Sequence, residues 1–148
     1  MNYFEEGHPI WYMRGYECTG IDPQTGDPMF KDKNDDDIIG DADQTEIGSA
    51  IPDFTYGITL TAAWKGLDLT IFGSGSHGND VFAGYNRTSR MKANTLKEFY
   101  DGRWIAVGDN AKYARSNPSN YDKYLKSSKF VFDGSYFKIK QIQLGYNL

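Results

Sequence analysis

Hydrophobic and polar positions alternate most strictly between Asp53 and Trp64. Phe54, Tyr56, Ile58, Leu60, Ala62 and Trp64 share one parity, and Thr55, Gly57, Thr59, Thr61 and Ala63 share the other. A period of two puts successive side chains on opposite faces, which predicts a β-strand. The run is long for a soluble strand and close to the ~9–11 residues that cross a bilayer at a tilt. Lys65–Gly66 reads as a tight turn, after which Leu67, Leu69 and Ile71 alternate with Asp68 and Thr70. The pattern therefore predicts an antiparallel hairpin, Asp53–Trp64 with Leu67–Ser76, apolar on one face and small or polar on the other.

Elsewhere the signal is shorter or absent. Gly7 to Tyr16, apolar and aromatic between glycines, suits a strand; Gly20 to Phe30 is rich in turn residues; Asp32 to Asp43 is an acidic run that reads as a loop. From Gly73 to Lys129 the periodicity fades, with one helix expected over Thr95 to Trp104. Stretches of this length are commonly lids or binding loops. A last strand begins at Ser135. Phe137 and Ile139 occupy one parity while Ile142, Leu144, Tyr146 and Leu148 occupy the other, so a β-bulge near Lys140–Gln141 is expected to reconcile them. Ending on an apolar strand residue is the pattern of a truncated chain. The start, with Glu5–Glu6 and no basic, then apolar, leader, fits an internal piece or a cytoplasmic protein.

Two architectures accommodate such a hairpin. In a soluble β-sandwich the apolar face is core; in an outer-membrane barrel it meets lipid, with Trp64 in the interfacial aromatic belt. Pattern alone favours the sandwich, the commoner sheet. At 148 residues the chain has the size of one ordinary domain. Aromatics at 16%, with eleven Tyr and nine Phe, favour strands over a helical bundle. There is no apolar run of about 18 residues, hence no transmembrane helix. The mean hydropathy of −0.62 leaves a barrel open, because barrel strands alternate. A net charge of −4 with scattered lysines gives no field for a phosphate backbone, which excludes nucleic acid as a partner. Cys18 stands alone, so neither an intramolecular disulfide nor a thiolate zinc cage is available.

The one constellation with metal chemistry is Asp32 to Asp43. Asp32, Asn34 and Asp36 fall at the first, third and fifth positions of a calcium loop, the Ile38 carbonyl at the seventh and Asp43 at the last. Hard oxygens at that spacing suit Ca2+, and the ion would cancel their mutual repulsion. Asp37 stands where an EF-hand has glycine, and Asp43 where it has a longer glutamate, although aspartate at the last position is usual in dockerin-like loops, which this run resembles. A solvated acidic turn is the other reading. His8 and His77 lack a nucleophile or a partner at any informative spacing, G-S-G-S-H-G lacks the lysine of a phosphate loop, and the sequon at Asn86 reads as accidental. Nothing here assembles into a catalytic site, so an enzyme is not expected.

Several segments, in order, resemble the C-terminal third of SusC/RagA-type TonB-dependent outer-membrane transporters. G-H-P-I-W-Y-M-R-G-Y with T-G-I-D-P-Q-T-G-D-P is similar to the family's strand and turn, and D-K-N-D-D-D-I-I-G-D-A-D to its acidic loop. I-G-S-A-I-P-D-F-T-Y-G and W-K-G-L-D-L-T-I-F-G-S-G-S-H-G-N-D are similar to the strand and hairpin that follow, and F-D-G-S-Y-F-K-I-K-Q-I-Q-L-G-Y to a strand near the C-terminus. The resemblance implies an all-β segment, residues 1–148, of a transmembrane β-barrel of about 22 strands, with the plug and last strands lying elsewhere. Within that segment residues 32–43 remain the candidate calcium loop on their spacing, and the resemblance further implies residues 78–133 as a long extracellular loop with Trp104, Tyr113 and Tyr121 available to stack on sugar or to pack the loop itself. For the whole receptor it implies outer-membrane lipid around the barrel, a SusD-type surface lipoprotein as lid, TonB as energy source, and a glycan or peptide as cargo. The alternative is a soluble, calcium-stabilised β-sandwich that binds carbohydrate.

Overall fold

The computed structural model describes residues 2–3, 5–84 and 96–147. In chain order the strands are β1 (Asn2–Tyr3), β2 (Tyr12–Tyr16), β3 (Cys18–Ile21), β4 (Pro28–Phe30), β5 (Gln44–Ser49), β6 (Phe54–Trp64), β7 (Leu67–His77), β8 (Asp80–Phe82), β9 (Val131–Asp133) and β10 (Tyr136–Tyr146). Two short helices, α1 (Lys97–Asp101) and α2 (Tyr121–Leu125), lie between β8 and β9. The described part is thus all-β in architecture, and every sheet pairing is antiparallel.

The hairpin forms as the alternation predicts. β6 and β7 pair in unbroken register from Phe54 opposite His77 to Trp64 opposite Leu67. Lys65 (φ 46°) and Gly66 (φ 84°) both take positive φ, the requirement of the two-residue turn whose twist matches the strands it joins. On the other side β7 pairs with β10, giving the order β10-β7-β6. The register shifts between Ile139 and Gln141. The extra residue, Lys140, returns Phe137, Ile139, Ile142, Leu144 and Tyr146 to one face, so the parity break in the sequence is a bulge.

At the opposite end from the Lys65–Gly66 turn, β7 continues past Gly78 into β8, and β9 leads into β10. Gly134 N–H donates to the Asn79 carbonyl (2.7 Å) and carries the ladder across the bend. The segment between β8 and β9 folds back on the β3–β4 hairpin. There Ala114, Tyr124, Leu125 and Phe130 form a buried cluster against Cys18, Ile21, Phe30, Phe82, Phe99 and Tyr121. β1-β2-β5 forms a further sheet, and β2 meets the end of α2 so closely that a Cβ on Gly15 would lie 2.0 Å from the Lys126 carbonyl oxygen.

Three sequence expectations change. The strand expected over Gly7 to Tyr16 begins only at Tyr12, because Gly7 (φ 88°) and Trp11 (φ 63°) turn the chain and Pro9 has no N–H to give to a ladder. The helix expected over Thr95 to Trp104 is α1 alone, closed at Gly102; Arg103 and Trp104 leave it to bridge to Tyr113, and Thr95 lies outside the described residues. Within the acidic run, Asp41–Asp43 is a 3-10 turn rather than open loop. The Asn86 sequon and Leu148 also lie outside the described residues.

Candidate functional site

Two regions can carry function: the face of the β10-β7-β6 sheet and the unit folded at its far end. On the sheet, register places Phe54, Tyr56, Ile58, Leu60 and Trp64 beside Leu67, Leu69 and Ile71 and beside Phe137, Ile139, Ile142, Leu144 and Tyr146. No second layer covers them among the described residues: Leu60 is 63% exposed, Ile142 68% and Leu144 72%. The other face carries Thr55, Thr59, Thr61, Asp68, Thr70, Ser74, Ser76, Lys138, Gln141 and Gln143, with Phe72 and Tyr136 as its aromatic residues. This is the division of a barrel strand, apolar outward and polar inward.

Aromatic rings mark both ends of the apolar band. Trp64 and Tyr146 lie by the short turn, and Phe54, Tyr56 and Phe137 by the long connections. Phe54 to Trp64 spans about 33 Å at the usual rise per residue. A tilt of about 40° projects this to about 25 Å, the height of a barrel's apolar band. Tyr56 and Phe137 stack across β7 with centroids 6.0 Å apart and planes 4° off parallel. Gly73 and Gly75 make this possible: a Cβ on Gly75 would lie 2.8 Å from the Tyr56 ring, and one on Gly73 2.4 Å from the Phe137 ring. The exposed apolar face, ringed in this way, disfavours the sandwich, which needs that face as core.

In the far unit the three aromatics available for sugar stacking or for packing the loop are found packing the protein. Tyr113 is buried, edge-on to Phe99 (4.5 Å), with its hydroxyl donating to Glu98 (2.9 Å). Tyr121 packs on the buried cluster, and the half-buried Trp104 donates its indole N–H to the Pro23 carbonyl (3.0 Å). A hollow of about 380 Å³ is lined by Asp101, Gly102, Arg103, Ile105, Asp109, Asn110, Ala111 and Lys112, but its charges are satisfied internally. Arg103 stacks on Tyr100 and donates to its carbonyl; Lys112 pairs with Glu98 (2.6 Å); Asp109 accepts from the Ile105 and Ala106 amides (3.0 and 2.9 Å). Hydrogen bonds from Lys112 and Tyr113 hold the Glu98 carboxyl below the usual carboxylate range, and burial pushes the Tyr124 hydroxyl well above its ordinary value.

The acidic loop is built from its own carboxylates. Asp32 accepts from the amides of Asn34 (3.1 Å), Asp35 (2.8 Å) and Asp37 (2.7 Å), and Asp36 from that of Ile38 (2.8 Å). The Asn34 amide nitrogen donates to Asp36 (2.7 Å). Asp43 is almost fully buried and accepts from Gly40 (2.7 Å) and Lys33 (2.8 Å), which hold its carboxyl below the usual range. The structure thus brings Asp32, Asn34, Asp36, Ile38 and Asp43 into one loop, while among the described residues no three acidic, His or Cys side chains converge as a metal-binding group. Asp35 (φ 56°) and Asp37 (φ 60°) take the left-handed conformation. Of the histidines, His8 hydrogen-bonds Glu46 (3.0 Å) and stacks on Tyr12, and His77 packs against Phe54.

Comparison with known proteins agrees with this geometry. The chain is 28% identical over 136 residues to TonB-dependent receptor P26 of Formosa agariphila, a match covering 89% of this chain and 14% of the relative. It is 28% identical to TonB-dependent receptor P3 of the same organism, covering 97% of this chain and 16% of the relative. In fold it is similar to a chain of the RagAB peptide importer solved in an open-open state, with a TM-score of 0.54, 19% identity, and coverage of 99% of this chain and 18% of that one. No family model matches. The chain spans about a seventh of the length of the curated relatives it matches.

Proposed function

We propose that this chain is a stretch of a SusC/RagA-type TonB-dependent receptor of the outer membrane, and that it supplies barrel wall and an outward-facing loop unit to an importer of glycans or peptides. The observation that carries the reading is the three-stranded sheet whose strands each run eleven residues, apolar outward between two aromatic belts and polar inward. Short turns face the periplasm in such barrels and long connections face the outside, so Lys65–Gly66 is periplasmic and the unit packed around Phe130 is extracellular. Cargo would pass the polar face of Thr59, Thr61, Gln141 and Gln143. A SusD-type surface lipoprotein would close the outer mouth, and TonB would supply energy through a part of the receptor that this chain does not hold.

The test is uptake by cells carrying the full-length receptor, its neighbouring lipoprotein and TonB, offered labelled oligosaccharides and oligopeptides in parallel. Import of one class, abolished by loss of either TonB or the receptor, is expected. A receptor that assembles in the outer membrane and imports neither class would sink the reading.

The acidic loop enters this function as a calcium-tightened extracellular turn. In support, the donor set of Asp32, Asn34, Asp36, the Ile38 carbonyl and Asp43 is all oxygen, and Asp37 adopts the positive φ that its position in a calcium loop demands without a glycine. Affinity in the ~10⁻⁴–10⁻³ M range of extracellular modules is expected. Calorimetry of the receptor that shows no calcium-dependent heat at several times that concentration, or the same heat after Asp32→Ala, would remove calcium from the account.

A further inference from the structure

The two long connections meet at one small feature, the turn between β3 and β4. It is shaped from within: Asp22 accepts from the Gln24 amide (2.8 Å) and the Thr25 hydroxyl (2.7 Å), and the Gly26 amide donates to the Asp22 carbonyl (2.8 Å). This turn would keep its form with nothing docked on it.

Segment 104–119 docks on it from some eighty to ninety residues away in sequence. The Pro23 carbonyl accepts both the Trp104 indole N–H (3.0 Å) and the Gly108 amide (2.8 Å). The Arg115 amide donates to the Gly26 carbonyl (3.0 Å). The Asp27 carboxylate accepts from Arg115 Nε (2.8 Å) and Nη2 (3.4 Å) and from the Ser119 amide (2.8 Å), so one side chain holds the segment at two points. Gly26 is the seat of the Trp104 ring. A Cβ there would lie 2.5 Å from the indole, and the backbone at φ 74° resists any other residue. On its far side the segment shows solvent Ile105 and Val107, each more than 60% exposed, whereas Tyr113 and Ala114 are buried with the core, so only the stretches on either side of that pair depend on the turn alone.

We propose that the β3–β4 turn is a latch: a preformed peg on which segment 104–119 docks as a unit, with Asp27 as the positioning residue and Gly26 as the seat. Release is then a local opening of residues 104–112 and 115–119 on either side of the buried Tyr113–Ala114 pair, and the barrel strands do not share in the change. Resting on the transporter reading, release is expected to shorten retention of cargo by the outward-facing unit.

The experiment is hydrogen exchange by mass spectrometry on the full-length receptor carrying this chain, wild type against Asp27→Asn and Gly26→Val. Asp27→Asn removes the carboxylate without changing shape, and Gly26→Val removes the seat without touching charge. Both variants are expected to speed exchange in peptides covering 104–119 about tenfold, while β7 and β10 stay as in wild type. Restoration of protection by Asp27→Glu supports a charge-dependent latch. Unchanged exchange in 104–119 in both variants, or equal acceleration in β7 and β10, overturns it. Cargo release from the same variants separates the two layers: faster release supports the link to transport, and unchanged release with faster exchange keeps the latch while overturning that link.

Discussion

At Asp27 a single carboxylate accepts three hydrogen bonds from a segment distant in sequence, and its chemistry sets how the outward unit responds to acid. The Arg115 guanidinium, and after it the Ser119 amide, hold this carboxyl below the usual carboxylate range. Glu98, held down by Lys112 and Tyr113, and Asp109, held down by two amides, are shifted in the same direction. A carboxyl whose folded value is depressed contributes stability that is complete above its unfolded value, about 4, and that is lost as pH falls through the folded value. Segment 104–119 is therefore expected to stay protected at neutral pH and to lose protection below about pH 4, before strands held by main-chain bonds. Amide exchange corrected for its intrinsic pH dependence checks this, and protection unchanged well below that pH would contradict it. None of this was legible in sequence. Asp27, Trp104 and Arg115 carry no spacing that ties them together, since their contacts depend on how two long connections pack. The acidic run was legible as a loop with calcium-type spacing, but sequence does not say where Asp32 and Asp43 point, and both turn toward main-chain amides.

Among elements, the β6–β7 hairpin was the most legible, because a period of two and a two-residue spacer leave almost no other geometry. The bulge at Lys140 could also be read, since a parity break inside one strand has few remedies. What the pattern did not settle was the environment of the apolar face, as core and lipid ask for the same side chains. Length and aromatic placement lean toward lipid, and the glycines under Tyr56 and Phe137 let rings lie over the strand where cross-strand pairs would otherwise crowd. Opposite faces of one strand then respond differently to the same charge. Ile58→Arg, near the middle of the apolar band, is expected to lower assembly of the full-length receptor by ~2–4 kcal/mol, whereas Thr59→Arg, on the polar face, should cost far less. Heat-modifiable gel mobility and folded yield in outer membranes read both. Equal tolerance of the two substitutions would mean that this face does not meet a bilayer. Where local turn chemistry competed with strand composition the turn won, as at Gly7 to Trp11, a stretch as apolar as its neighbour β2.

At the scale of the whole molecule, the order β10-β7-β6 leaves the outer edges of β6 and β10 without partners among the described residues. Each edge presents a row of N–H and C=O groups that lipid cannot satisfy, and three strands cannot curl far enough to pair them with each other. Most of β6 and β10 is exposed on both faces, so this sheet has no core of its own, whereas the loop unit around Tyr124 and Phe130 does. The two parts should separate in behaviour when the chain is produced by itself. In detergent-free buffer the sheet is expected to drive self-association through its open edges, the usual fate of exposed flat strands. The loop unit should keep slow-exchanging amides within that assembly, notably in α2, which packs its buried Tyr124 and Leu125 into that core. Light scattering and hydrogen exchange on the isolated chain test both halves of the expectation. A monodisperse monomer with protected β6 and β10 amides would show that this sheet needs no neighbouring strands, and the barrel-wall reading would fall with it.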